Sequence, residues 1–450
     1  MTDLVFALLL SATTPLHEHA FRLDREAEAV AAVTASGERC DWGEKGREAA
    51  VLTLTVDGVP SQDLVLFRGA AAEYRVLLGP LGAGAHRLAI DRDEKRSARG
   101  CGSAQVRGVS VGAIAEGEPG YESLAHAPIL HTRPGSLDRF SDLPLVSWVE
   151  THTAADGGRE LRYSVIFSHE DGGTPLDRLM ATWGRATDIE LVYAVELDAA
   201  GRIRREQYQG KDHVFTAFAG RKEGRHPVLH VVTKNNMVRD RGRHTPRVAP
   251  APVPFPLDGV SREAVMDAHP WTYHVSGQEV RREGLVSSEP GRKRIRDPRR
   301  FAYLEACGEV RDARIAFDLG FAGSGGSLRW VASDARGEDF RVSRSGCFRA
   351  AVAMPEGSAL QDARSLRLRA HTGPPRRGEK PLPRGSGSAR IDRVNRLFGL
   401  GPDDAPGPSV FDWSAGADLR PDGDPVEIPI VGPPKAAGGS VPAAVPLAFP

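Results

Sequence analysis

IELVYAVEL, residues 189–197, alternates along its length. In an extended chain Ile189, Leu191, Tyr193, Val195 and Leu197 fall on one side, and Glu190, Val192, Ala194 and Glu196 on the other. A period of two predicts a strand with one face in a core. The preceding run, RYSVIFS (163 at its Tyr), alternates in the same way. Between the two lie HEDGGTP, which turns through Gly172, Gly173 and Pro175, and DRLMATWGR, which crosses back.

The same pattern extends outward in both directions. AVLTLTVDG predicts a strand running into an Asp57-Gly58 turn, and QDLVLFRG, EYRVLLGPLGAGAHRLAIDRD and AQVRGVSVGAI follow at near-regular spacing. Several short strands over about 100 residues predict a sandwich of immunoglobulin-like type. LPLVSWVET, HVFTAFAG and HPVLHVVT add central strands; ARIAFDLG, SLRWVAS, CFRAAVAM and SLRLRAH add later ones. The chain therefore reads as mainly β, with three β-sandwich-like domains in tandem. Residues 1–15 form a candidate signal segment and 16–116 the immunoglobulin-like sandwich. A central sandwich with long loops covers 117–290, a third β domain 291–435, and a disordered tail 436–450. The Pro-rich run PRVAPAPVPFPLDG reads as an extended strap, and SREAVMDAHP as one or two helical turns from Ser261 to Pro270.

Composition narrows the function classes. The 450 residues carry 59 Lys plus Arg against 59 Asp plus Glu, so net charge is zero and no basic footprint for nucleic acid appears. The basic run EPGRKRIRDPRR lacks interleaved aromatics and reads as a solvated linker. Leu4 to Leu10 is apolar and Ser11 and Ala12 are small, which is the size of a secretory core and too short for a span. The four cysteines fall as Cys40 and Cys101 early and Cys307 and Cys347 late. Three pairings are open; one bridge within each outer domain is the simplest, each worth about 4 kcal/mol by chain entropy. These features point to a secreted, periplasmic or cell-surface protein.

GVSVG, residues 108–112, imitates a nucleophile elbow, but no helix can follow it, so Ser110 reads as a strand residue. P-loop, H-E-x-x-H, EF-hand and G-x-G-x-x-G patterns are all missing from the sequence. The polar candidates cluster around the opening strand. Asp188 and Glu190 are two apart, so their Cα atoms lie roughly 6.6 Å apart with both carboxylates on one face. Such a pair calls for a neutralising partner: Arg185, Arg178, or calcium or magnesium. His169 and Asp171 stand on the turn before it, and Asn235 ends the later strand. His226 and His230 would lie about 13 Å apart on a strand, too far to share a metal. The plain alternative is a set of loop ends whose carboxylates pair with arginines.

GRATDIE, Gly184 to Glu190, resembles the G-H-R-H-D-W-E heptad of the necrosis- and ethylene-inducing-peptide-like proteins and their vacuolar-sorting-type relatives. HPVLHVVTKNNMV is similar to their later strand. The resemblance implies a β-sandwich with Asp188 and Glu190 at a divalent-cation pocket serving lipid-headgroup binding. Gly184, Asp188 and Glu190 match; Arg185 and Thr187 stand where the heptad has histidines, and Ile189 where it has Trp. The Arg- and Ala-rich layout also resembles exported bacterial multidomain β proteins. The leading expectation is a non-enzymatic, lectin-like module binding an extracellular glycan or lipid headgroup through Asp188, Glu190, Arg185, His169, Asp171, His226 and Asn235. The alternatives are a secreted hydrolase with Asp188 or Glu190 as acid or base, and a structural envelope or adhesion protein.

Overall fold

The computed structural model describes residues 15–243, 246–289, 291, 293–375 and 380–431. The candidate leader, apart from residue 15, and the 436–450 tail lie outside them. The chain is mainly β, built of largely antiparallel sheets packed in pairs.

The first pair is made by β1 (His17–Leu23), β2 (Ala27–Gly37), β3 (Ala50–Val56), β4 (Val59–Leu66), β5 (Ala72–Leu81), β6 (Gly84–Arg92) and β7 (Ala104–Ile114). Their orders are β1-β6-β3-β4 and β5-β2-β7. Four strands over three is the layering of a constant-type immunoglobulin sandwich, but the order departs from that fold. Here β1 pairs with β6, and β2 crosses to the other sheet to sit between β5 and β7. The predicted Asp57-Gly58 turn joins β3 to β4, with both residues left-handed (φ 52° and 80°) as a two-residue hairpin requires. Cys40 and Cys101 are bonded, 61 residues apart in sequence. They tie the end of β2 to the start of β7, neighbours in one sheet.

The central strands are β8 (Ile129–His131), β9 (Pro144–Thr153), β10 (Arg159–Phe167), β11 (Asp188–Leu197), β12 (Ile203–Gln209), β13 (Phe215–Ala217), β14 (Lys222–Glu223), β15 (His226–Val231), β16 (Val238–Arg239), β17 (Arg247–Val248) and β18 (Val253–Pro254). One sheet runs β13-β12-β11-β10-β9-β18, the other β14-β15-β8-β17 with β16 on β15. The pairings of β15 with β8 and of β18 with β9 are parallel. The helices are α1 (Tyr121–Ala125), α2 (Ser136–Arg139), α3 (Leu176–Trp183), α4 (Ala264–Ala268) and α5 (Trp271–Arg282).

The third pair comprises β19 (Phe301–Arg311), β20 (Ala313–Ala322), β21 (Leu328–Ala332), β22 (Gly346–Ala353), β23 (Ala363–Thr372), β24 (Ser388–Phe398), β25 (Phe411–Trp413), β26 (Ala417–Leu419) and β27 (Val426–Pro429). It packs β22-β19-β24-β25, with β26 on β24, against β21-β20-β23-β27 over Phe317, Leu319, Phe348, Leu366 and Ile391. Cys307 and Cys347 are direct cross-strand partners on β19 and β22 and are bonded.

These units are not independent beads. One core cluster joins Val33, Leu52 and Ile90 of the first sandwich to Val146, Trp148, Ile166 and Ile189 of the central sheet and to Val265 and Tyr273 of α4 and α5. A separate cluster between the two central sheets holds Val165, Phe167, Tyr193, Val195 and Leu229. A third joins Leu176, Leu179 and Met180 of α3 to Tyr303, Ala351 and Phe398 of the last sandwich.

Candidate functional site

β11 forms where the alternation predicts it, with a correction to its faces. Its ladder with β10 slips by one residue, so that Tyr163 pairs with Tyr193 but Ser164 with Leu191. Such a bulge inserts one residue and inverts the facing beyond it. Upstream of the bulge, Asp188 pairs with Phe167 and Glu190 with Val165, both members of the inter-sheet core. Cross-strand partners share a face. The two carboxylates therefore point side by side, as expected, but into the sandwich interior: Asp188 is 2% exposed and Glu190 7%.

Each predicted residue has a definite place. Asp188 Oδ2 accepts from Asn236 Nδ2 at 3.0 Å and Oδ1 from the Ile189 amide at 2.9 Å. Arg185 Nη1 stands 3.6 Å from Oδ1 while its Nε donates to Glu263 Oε1 at 3.1 Å and Nη1 to the Thr187 carbonyl at 2.6 Å. The Nδ1 of buried His169 donates to the Ala186 carbonyl at 2.7 Å, and burial holds that imidazole neutral by lowering its pKa. Asp171 takes other partners, Arg133 and Arg139. His226 lies on β15 with Nδ1 on the Ala127 carbonyl (2.9 Å) and Nε2 on Glu28 Oε2 (2.8 Å). Asn235 is half-buried beside Gly173; its neighbour Asn236 makes the contact to Asp188. Ser110 lies inside β7, a strand residue as expected.

Asn236 stands beside Asn235 at the end of the later strand, whereas nothing in the sequence pattern marks Glu170 and Glu263. Only the folded chain brings them next to β11, across sequence gaps that no spacing rule spans. Burial, and then Asp188, raise the Glu170 carboxyl to about 8. The same two causes push Glu190 well above the usual carboxylate range. Burial also raises Asp188, against Arg185 and Asn236. The arrangement is a buried, proton-holding acidic seam matched by Arg185. It does not fit a divalent cation: two N–H donors occupy the Asp188 oxygens, and a guanidinium faces them. No group of three or more His, Cys, Asp or Glu side chains suited to a metal occurs among the described residues.

Two cavities lie elsewhere, and neither is lined by Asp188 or Glu190. The larger, about 730 Å³, is polar and sits between the 116–126 segment and the 200–203 turn. Its carboxylates are already matched: Glu116 with Arg225 (2.7 Å), Glu122 with Arg159 (2.7 Å) and Glu118 with Arg25. His126 at its wall is fully buried with neither ring nitrogen hydrogen-bonded, and burial lowers its pKa to about 4.

The second cavity, about 350 Å³, lies where the first sandwich meets the central sheet. Leu64 on β4, Phe67 just after it, Val76 on β5, Val146 on β9 and Pro250 in the Pro-rich strap form apolar walls. Trp271, the first residue of α5, completes them; its ring stacks on Phe67 (5.4 Å, 20°) and is met edge-on by His269. The strap is held there by backbone bonds from Leu77 to Ala249 and from Ala251 to Arg75.

No family model and no curated protein matches the chain. Among solved structures it is similar, at 9% identity and a TM-score of 0.15, to the M60 catalytic domain with the CBM51-1 and CBM51-2 domains from Clostridium perfringens ZmpB. That match covers 90% of this chain and 33% of the other, a likeness too slight to carry fold or function.

Proposed function

We propose that this chain is an extracellular, non-catalytic binding protein that takes a small lipid-like molecule in the cavity between the first sandwich and the central sheet. The cavity itself carries the reading. It is concave, walled by aromatic and aliphatic side chains, and placed where two packed units meet, which is where small-molecule sites concentrate. Its volume falls at the low end of the usual range of about 300–1,000 Å³. The two disulfides support an oxidising compartment. No helix among the described residues is long and apolar enough to cross a membrane. A glycan fits this cavity less well, because Phe67 and the Arg68 guanidinium already cover the Trp271 ring that a sugar would stack on. A hydrolase reading built on Asp188 and Glu190 has less support, since both are buried and neither lines either of these two cavities.

The test uses N-phenyl-1-naphthylamine, a neutral apolar dye that brightens out of water. The full chain should enhance its emission saturably, and Val146→Trp, which fills the cavity, should abolish the enhancement while the protein stays folded by circular dichroism. No enhancement with the wild type, or undiminished enhancement with the filled variant, would overturn the reading.

A further inference from the structure

The apolar cavity carries one polar corner. Arg68 follows β4 and lines it, its guanidinium held over the Trp271 ring with Cζ 5.2 Å from the centroid. No carboxylate pairs with Arg68 among the described residues, although most arginines of this chain are paired. Beside it, the hydroxyl of Tyr74 accepts a hydrogen bond from the Arg68 amide at 3.1 Å. That hydroxyl donates to no group among the described residues, and Tyr74 is only 6% exposed. A phenol both donates and accepts, so one proton remains to be placed. Burial raises the Tyr74 pKa, which keeps that proton on the oxygen. Glu73 and Arg75 also line the cavity; Glu73 is exposed at the rim.

We infer that the ligand is an anionic amphiphile, an aliphatic monocarboxylate whose head meets the Arg68 guanidinium and the Tyr74 hydroxyl and whose hydrocarbon body fills the apolar cavity. The inference rests on the binding reading above and names the ligand class of that site. A free guanidinium over an aromatic ring and an unspent hydroxyl proton together make a charge-assisted pair suited to a carboxylate. Leu64, Val146 and Pro250 of the lining offer carbon to the hydrocarbon body. At about 30 Å³ for each atom-sized unit of liquid, 350 Å³ holds roughly a dozen non-hydrogen atoms, the size of a ten-carbon acid.

The experiment displaces the bound dye with decanoate, 1-decanol and decylamine at pH 7.5, each below its micellar concentration. Decanoate should compete about tenfold better than 1-decanol, the discrimination of one charge-assisted hydrogen-bonded pair, and decylamine worst of the three. Arg68→Met keeps the stem over Trp271 and should bring decanoate within about twofold of decanol while dye binding persists. Tyr74→Phe should lower decanoate affinity and leave decanol unchanged. Equal competition by all three compounds, or a decanoate preference that survives Arg68→Met, would overturn the anionic assignment and leave the binding reading standing. Failure of the dye to bind the wild type removes both.

Discussion

Arg349 Nη2 on β22 lies 2.6 Å from Asp267 Oδ2 on α4, and both side chains are sealed from solvent, at 0% and 3% exposure. Arg349 also donates to Glu305 on β19 (2.6 Å) and to the Tyr273 hydroxyl on α5. The third sandwich is thus fastened to the central helices by a guanidinium with two carboxylates around it, and Arg396 on β24 also reaches Asp267 at 3.2 Å. A buried pair of this kind adds little over an apolar substitute, but breaking it strands a charge, at about 3–5 kcal/mol. Arg349→Met should therefore lower the unfolding free energy by that amount, and Arg349→Met with Asp267→Asn should recover part of it. Urea unfolding of the three proteins measures both steps.

Glu279 on α5 gives the chain a pH dependence of the opposite sign to the paired aspartates. Its side chain is fully buried, accepting from Trp42 Nε1 and the Asp142 amide at 3.2 Å each. Burial, and then Glu283, raise it to about 8 from 4.5, against Arg282. The folded state keeps this proton where the unfolded chain has lost it. Stability from it is whole below pH 4.5 and drains as pH rises to about 8, by up to about 1.4 kcal/mol per unit. Asp267, held low against burial by Arg349 and Arg396, and Asp404, held low against burial by His274 and Arg281, lose their contribution below about pH 4. The Glu279 part of the melting profile should therefore fall from about pH 5 to pH 8, while the buried His126 and His169 withdraw stability below about pH 6.5. Glu279→Gln, which places an amide against a donor, should melt below wild type at pH 5 and close the gap by pH 8.5.

How much of this was legible in the sequence differs by element. Strands with one clean apolar face, such as β3 and β20, declare themselves by alternation, and the Asp57-Gly58 turn by its residues. The α5 helix did not. It follows Pro270, includes Thr272, Val275 and Gly277, and buries Ser276 and Glu279 as well as Val280, so no apolar stripe marks it. The SREAVMDAHP helix was expected and appears as α4, shortened to Ala264–Ala268. The Asp188/Glu190 pairing was legible because strand geometry is local. Its burial was not, because it depends on a bulge two residues further along and on Asn236 and Glu263 arriving from other segments. The apolar cavity is the least legible feature, since five separate segments wall it.

Gly184, one of the three positions matching the heptad, has a packing explanation. It closes α3 with a left-handed backbone (φ 58°) that L side chains rarely adopt. A Cβ added there would lie 2.6 Å from Arg349 Cγ and 3.0 Å from the Ala350 amide nitrogen. The helix end and β22 approach so closely that only glycine fits. Gly184→Ala should destabilise by roughly 1–3 kcal/mol, with the shift in denaturation midpoint as the measure.

The acidic seam at β11 makes the most discriminating prediction about the heptad-like stretch. Burial raises Asp188, so the folded protein loses little when that carboxylate is replaced by a neutral isostere. Asn236 can still find an oxygen at the same place. Arg185 differs: its guanidinium faces Asp188 and Glu263 together, and its removal strands Glu263, whose carboxyl the arginines hold below its usual range despite burial. Asp188→Asn should therefore stay within about 1 kcal/mol of wild type, whereas Arg185→Met should lose about 3–5 kcal/mol. Because Asp188 does not line the Trp271 cavity, dye affinity should be unchanged in Asp188→Asn. A variant folded to wild-type stability that had lost the dye would move the ligand site from the Trp271 cavity to β11.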